Sequence, residues 1–247
     1  MKDITELKEA AEHGDTSAQV TLAFLYYHGL EVMRDIDTAA RWLRRAAEGG
    51  SPYGQYFLAR IYWGVKRLNA NPKEVLYWCQ KAAEQRLPPA ENMLGCLYEQ
   101  GEGTESDMAR AIEWYKRAAE DGSEIAAHHL GILYAQGRGV NKDAPEALRW
   151  FHKAAELGGS EAAYSLADFY EKGIGVKKDE QKALHWYKCA AERGSSLAHS
   201  RLAVAYRCGL LGLNIDEDKA KQHERLVTVT FEAEQAAIQK VIQLKSE

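Results

Sequence analysis

Five of the six tryptophans in this chain are spaced 36 residues apart. They are Trp42, Trp78, Trp114, Trp150 and Trp186. An Ala-Ala-Glu triplet begins four residues after each of them. A fixed period of this length indicates a repeat array, in which each unit buries its apolar face against its neighbours. Most repeating apolar residues therefore have a packing role, and function must be sought at the positions that do not repeat.

The first segment of each unit carries a leucine and a tyrosine four residues apart, beginning with Leu22 and Tyr26. This spacing places both side chains on one face of a helix, which we call helix A. Small residues lie four positions before each leucine and directly after it, and they allow a neighbouring helix to approach closely. Glycines follow as predicted C-caps: Gly29, Gly101, Gly137, Gly173 and Gly209.

The second segment carries the tryptophan and the Ala-Ala-Glu triplet, and we call it helix B. An Asp or Asn precedes it at the same 36-residue step, as an N-cap that accepts hydrogen bonds from the first amides of the helix. These residues are Asp35, Asn71, Asp107, Asp143 and Asp179. The sequence thus predicts two helices per unit, joined by a short turn that in two units reads Gly-x-Gly-Val.

This register predicts a single domain, 1–247, that is an array of about six helix-turn-helix repeats. An N-terminal capping helix occupies 1–14, and repeats occupy 15–50, 51–86, 87–122, 123–158 and 159–194. A degenerate sixth repeat and a long C-terminal capping helix fill 195–247. In the sixth repeat the register places Gln222 at the tryptophan position. The capping helix is predicted over 216–244, which contains no glycine or proline and carries an apolar stripe.

Charge and hydropathy exclude several classes of partner. The net charge is −4 with mixed signs, which predicts no nucleic-acid binding. No apolar run is long enough for membrane insertion. The charged N-terminus has no signal-peptide core, so we expect a cytoplasmic protein, or a periplasmic one if an export signal has been removed. Four cysteines without metal-site spacing indicate reduced thiols.

No catalytic motif stands out from the repeats. There is no His-Glu-x-x-His and no Gly-x-Ser-x-Gly. The stretches Gly101-Glu102-Gly103 and Gly137-Arg138-Gly139 lack the Lys-Ser/Thr of a phosphate-binding loop and are interpreted as turns between helices. The sequence therefore predicts that the protein is not an enzyme and has no metal site and no cofactor.

Residues 162–194 follow the pattern Ala-x3-Leu-Gly-x2-Tyr-x2-Gly-x-Gly-Val-x2-Asp-x3-Ala-x2-Trp-x2-Lys-Ala-Ala-Glu-x-Gly nearly throughout, and 126–158 follow it almost as well. In this the chain resembles the Sel1-like repeat family, which is related to the tetratricopeptide repeats. The resemblance implies an all-α, right-handed superhelix (a solenoid) with helices A on its concave face. It implies an adaptor or scaffold that binds a protein or peptide partner. The alternative is an immunity or inhibitor protein that neutralises a bacterial toxin or enzyme.

The predicted concave face consists of the helix A positions opposite the buried leucine and tyrosine. They lie two residues before each leucine, and two, five and six residues after it. The candidate partner-binding residues taken from these positions, together with Tyr53, are Phe24, Tyr27, His28, Tyr53, Tyr56, Arg60, Trp63, Asn92, Glu99, His128, Gln136, Tyr164, Asp168, Glu171, Lys172 and Arg207.

The first two repeats differ from the later ones in these positions, because they are rich in aromatic residues and contain Arg60. Trp, Tyr and Arg are the residue types that most often dominate protein interfaces. We therefore expect an aromatic groove over repeats one and two that holds an extended peptide or a loop of a partner protein. The other interpretation is that Phe24, Tyr27 and Trp63 only pack against each other.

Overall fold

A computed structural model describes residues 4–65, 68 and 70–227 of the chain. The predicted fold class, all-α, is confirmed: this part of the chain contains helices and no strands. The helices are α1 (Ile4–Glu12), α2 (Thr16–His28), α3 (Ile36–Glu48), α4 (Pro52–Gly64), α5 (Pro72–Glu84), α6 (Pro88–Gln100), α7 (Met108–Glu120), α8 (Glu124–Gln136), α9 (Ala144–Glu156), α10 (Ser160–Lys172), α11 (Glu180–Glu192) and α12 (Ser196–Cys208).

The helices form two compact units. In the first, Met1–Ser123, each helix from α1 to α7 packs on the next, and α2 also contacts α4. In the second, Glu124–Glu247, α8 to α12 pack in the same consecutive order. Residues 217–227 are also helical. The predicted capping helix beyond 227 lies outside the described residues, and the single domain stays a prediction.

The repeating polar residues cap the helices as the sequence predicts. The side chain of Asp107 accepts a hydrogen bond from the Arg110 amide at 3.0 Å, and that of Asp179 accepts one from the Lys182 amide at 2.9 Å. At the other helix ends, Gly29, Gly101, Gly173 and Gly209 adopt the left-handed conformation of a C-cap. Each helix from α2 to α12 is therefore 13 residues long, because the caps recur at the repeat period.

The leucines of helix A form the centre of the core, with no exposed surface on any of the six: Leu22, Leu58, Leu94, Leu130, Leu166 and Leu202. The tyrosines lie nearer the surface, and several of them form hydrogen bonds to a polar side chain on the preceding helix B. These contacts join the Tyr62 hydroxyl to Arg44 (2.8 Å), the Tyr98 hydroxyl to Gln80 (3.0 Å) and the Tyr170 hydroxyl to His152 (3.1 Å). Each such bond satisfies a polar group at the edge of the core.

The tryptophans are less uniformly buried than the repeat pattern suggests. Trp78 and Trp150 are buried, whereas Trp42, Trp114 and Trp186 are half-buried. Basic side chains cover several of these rings: the Arg45 guanidinium lies 4.5 Å from the Trp42 ring centroid, and the Arg117 guanidinium lies 5.1 Å from that of Trp114. Where such a large ring reaches the surface, the stem of a long cationic side chain packs on it.

The register of the sixth repeat shifts by one residue. The Asp216 side chain accepts a hydrogen bond from the Lys219 amide, and its backbone carbonyl accepts one from the Ala220 amide. Asp179 forms the same two bonds with Lys182 and Ala183. The loop before Asp216 is thus one residue longer than the 36-residue step allows. The prediction that Gln222 takes the tryptophan position was wrong, and His223 takes it. His223 stacks on Tyr206 at 5.7 Å.

Candidate functional site

Helices α2 and α4 bring the first group of candidate residues together within the first unit. Their spacing of three, four and seven residues places them along one side of each helix, and the two helices contact each other. We call this face the α2–α4 surface. It consists of Phe24, Tyr27, His28, Tyr53, Tyr56, Phe57, Arg60 and Trp63.

Large apolar rings on this surface remain accessible to solvent. Phe24 is 53% exposed, Tyr53 is 54% exposed and Trp63 is 37% exposed. The ring contacts that form are between neighbours on one helix: Phe24 with His28 at 4.3 Å, and Tyr56 with Phe57 at 5.1 Å. These contacts leave much of the Phe24 and Tyr53 rings exposed to solvent.

Phe57 was missed by the sequence reasoning. It lies one residue before the repeating leucine, where the first repeat has Thr21. Its ring stacks on Tyr53 (6.3 Å) and packs at a tilt against Tyr56 (5.1 Å), and so joins them into one aromatic strip. The available signal was that an aromatic residue at this position breaks the repeat pattern, as Tyr56 and Trp63 do.

The next helix, α6, places its two candidate residues differently. Asn92 is half-buried, and its side-chain oxygen has no hydrogen-bond partner among the described residues. The carboxylate of Glu99 accepts a hydrogen bond from the Tyr115 hydroxyl at 2.8 Å. Glu99 therefore helps to satisfy a buried tyrosine of its own unit.

In the second unit, the candidates on α10 are engaged in ion pairs and hydrogen bonds. Glu171 accepts hydrogen bonds from Arg201, at 3.0 Å from its Nε, and from the Tyr187 hydroxyl at 2.8 Å. Burial raises the pKa of Glu171, but these hydrogen bonds outweigh it and hold the pKa below its ordinary value. Lys172 pairs with Asp168 at 2.7 Å. These charges are compensated within the unit.

The remaining candidates of the second unit are similarly placed. Tyr164 packs edge-on against Tyr187 at 5.5 Å. Arg207, at the end of α12, pairs with Glu224 at 2.7 Å and with Glu217 at 3.6 Å, both in the helical segment 217–227. Gln136 is exposed at the end of α8. The two groups of candidates thus differ: the α2–α4 surface has exposed rings, whereas most charged candidates of the second unit are paired.

His128 is the candidate with the most perturbed environment. Its Nε2 lies 3.1 Å from the Ser165 hydroxyl, and its ring lies 5.5 Å from that of Phe151. Burial, with a smaller effect of the neighbouring His129, lowers the pKa of His128 to about 4. The imidazole is therefore neutral at pH 7 and belongs to the packing of the second unit.

This pKa predicts a dependence of stability on pH. The unfolded chain binds a proton at position 128 near pH 6.5, whereas the folded chain does so only near pH 4. The free energy of unfolding should fall as the pH drops from 6.5 to 4, by about 2 kcal/mol for this residue after allowance for its partial exposure. Urea unfolding at several pH values should show a smaller fall for His128→Gln. The exposed His185→Gln is the control and should keep the wild-type slope; an unchanged slope in His128→Gln would contradict the prediction.

The described residues offer few other groups that could carry chemistry. Within them, no group of three or more His, Cys, Asp or Glu side chains is arranged to hold a metal ion. The four cysteines are free thiols, and burial raises the pKa of Cys79. No helix in this part of the chain combines the length and the hydropathy needed to cross a bilayer.

Comparison with known families finds repeated matches to one model, the Sel1 repeat. The matched residues are 16–51, 52–87, 88–123, 125–159, 160–195 and 196–223. None of the curated proteins matches the sequence significantly.

Solved structures of bacterial proteins are also similar. A Sel1 repeat protein from Oxalobacter formigenes is 35% identical, with a TM-score of 0.74 over 86% of this chain and 84% of that one. A protective antigen of uropathogenic Escherichia coli is 31% identical, with a TM-score of 0.81 over 92% of this chain. The present chain spans about half (49%) of that antigen's length. An immunity protein from Pseudomonas aeruginosa is 24% identical, with a TM-score of 0.55 over 77% of this chain and 73% of that one.

Proposed function

Because this chain belongs to the Sel1 repeat family, whose members are generally protein-interaction modules, we propose that it binds another protein through the α2–α4 surface. The partner contributes an extended segment or a loop that lies across Phe24, Tyr53, Tyr56 and Trp63.

The observation that carries the proposal is the exposure of three large rings on two adjacent helices. Exposed apolar residues scattered singly are ordinary on a protein surface, but a contiguous apolar strip usually marks a binding site. Large aromatic side chains gain most when a partner removes them from water, because each buries a large apolar area and has few rotatable bonds to order.

The role of dedicated inhibitor remains the alternative. Two immunity proteins of Pseudomonas aeruginosa share the fold at 24% and 19% identity, which supports the fold and not the role. The two roles differ in stoichiometry and affinity. A scaffold should capture several proteins at modest affinity, whereas an inhibitor should capture one protein tightly over a larger interface.

Replacing both Tyr56 and Trp63 with alanine should reduce capture of the partner at least a hundredfold, because truncation of central aromatic residues commonly costs 2 kcal/mol or more each. Affinity capture followed by titration of the recovered protein would measure the loss. The melting curve should change much less than capture does, since Trp63 is exposed and Tyr56 is only half-buried.

Tyr77→Ala provides a matched control, because Tyr77 is an exposed aromatic residue on helix B of the same unit. Its replacement should leave capture unchanged. Equal capture by the wild type and by the double variant would show that the partner binds elsewhere.

A further inference from the structure

The α2–α4 surface is nearly free of formal charge. Helices α2 and α4 together contain no Asp, Glu or Lys, and their single charged residue is Arg60. By contrast, α10 alone carries Glu161, Asp168, Glu171 and Lys172. Depletion of charge together with enrichment in aromatic residues and arginine is typical of the centre of a protein interface.

Arg60 differs from the other arginines of the first unit. It is exposed and forms no ion pair or hydrogen bond within the described part of the chain. Every other described arginine of this unit has a partner within the chain. The pairs are Arg34 with the Tyr27 carbonyl, Arg41 with Thr38, Arg44 with Glu74, Arg45 with Glu12, Arg86 with Asp121, Arg110 with Asp107, and Arg117 with Glu91.

A partner that covers the rings also covers this guanidinium, since Arg60 lies three residues before Trp63 and four after Tyr56 on the same helix. A charge that is removed from water without a counter-charge costs several kcal/mol. No acidic side chain of α2 or α4 can supply that counter-charge. On the next helix A, the Glu99 carboxylate is engaged by the Tyr115 hydroxyl at 2.8 Å, so we assign the counter-charge to the partner.

A second copy of this chain does not meet the requirement. In a twofold dimer the same patch faces itself, so that the two Arg60 guanidinium groups approach each other without a carboxylate from either helix. The charge pattern of the surface therefore favours a different protein over self-association.

We infer that the segment bound on the α2–α4 surface carries a carboxylate side chain that pairs with Arg60, flanked by apolar or aromatic residues that cover Tyr56 and Trp63. This inference rests on the proposed function, and it adds the chemical class of the partner. A planar guanidinium can receive both carboxylate oxygens at once, which fixes the register of the segment on the surface.

Selection of a random dodecapeptide display library against the full chain tests this inference. The selected peptides should share one Asp or Glu at a fixed distance from an apolar residue. The best peptide would then be synthesised with the acid and with its amide (Glu→Gln or Asp→Asn), and its affinity measured for wild type, Arg60→Gln, Arg60→Lys and the control Arg41→Gln. Arg41 is an exposed arginine on α3 of the same unit.

Arg60→Gln should weaken binding of the acidic peptide about tenfold or more, with Arg60→Lys intermediate and Arg41→Gln unchanged. The amide peptide should bind wild type and Arg60→Gln equally, since it cannot form the ion pair. Either of two results would overturn the inference: peptides selected without a shared acid, or an equal effect of Arg60→Gln on both peptides.

Two further outcomes separate this inference from the proposed function. If the Tyr56 and Trp63 variant loses peptide binding while Arg60→Gln retains it, the surface binds protein but the carboxylate is not required. If no peptide is selected and sedimentation shows dimers that Trp63→Ala dissociates, the surface is a self-association face and the inference fails.

Discussion

Replacing Gly103 with alanine is expected to lower the free energy of unfolding by about 3 kcal/mol. Gly103 has a φ of +75°, and an added Cβ would overlap the Pro72 carbonyl oxygen and lie 2.7 Å from the Pro72 carbonyl carbon. The second glycine of the turn therefore lies against the start of helix B in the preceding repeat. Gly175 lies in the same way against Ala144 and Pro145 in the second unit. Backbone atoms cannot move aside as a flexible side chain can, so the two repeats must separate.

Urea unfolding followed by circular dichroism measures this loss, and hydrogen exchange at the start of α5 locates it. Gly122→Ala is the matched control, because Gly122 has a φ of +98° but no atom within 4 Å of an added Cβ. The control therefore reports the cost of the backbone conformation alone. If the two variants lose the same stability, the contact with Pro72 is not important.

Replacing Gly95 with alanine is expected to destabilise the protein by about 2 kcal/mol, although alanine favours a helix by about 1 kcal/mol over glycine. An added Cβ would lie 2.6 Å from Cε1 of Tyr115, whose ring is 1% exposed and whose hydroxyl donates to Glu99. The ring has no space into which to move. Chemical denaturation of the variant would measure the loss.

In the first repeat, the positions of Gly95 and Tyr115 are occupied by Ala23 and Leu43. A smaller side chain at position 115 should therefore make room for alanine at position 95. In a Tyr115→Leu background, Gly95→Ala should lower the free energy of unfolding much less than it does in the wild type. The double-mutant cycle gives the coupling energy between the two positions. Gly64→Ala is the control, because Gly64 is helical with no atom within 4 Å of an added Cβ. It should be neutral or stabilising. A coupling energy near zero would show that the Tyr115 ring is not the reason for glycine at position 95.

Much of the local structure could be predicted from the sequence because it depends on short-range chemistry that repeats. Asp107 caps α7 and Gly173 ends α10 where the 36-residue step places them, since a cap needs only the residues of its own helix end. The shift to Asp216 was missed because the period was extended without a check on the cap: the 36-residue step falls on Ile215, whereas Asp216 and Ala220 keep the spacing of Asp179 and Ala183. The segment after residue 227 and the assignment of binding residues remain predictions.

The candidate site was predictable in type but not in detail. Helical spacing alone gathers Tyr56, Arg60 and Trp63 on one side of α4. The same rule selected Glu171 with equal weight, because spacing cannot show that Arg201 and Tyr187, which are distant in sequence, already occupy its carboxylate. Phe57 was missed for the same reason: its contact with Tyr53 and Tyr56 depends on ring orientation and not on its place in the period.

By itself the sequence determined the helices, their caps, their order and the buried leucines, because each depends on interactions that recur at a fixed period. Only the tertiary structure decided which polar and aromatic side chains remain free to bind. Whether Arg60 or Glu171 has a partner depends on which side chains of neighbouring helices come within hydrogen-bond distance, and that distance is set by packing across repeats rather than by position along the chain.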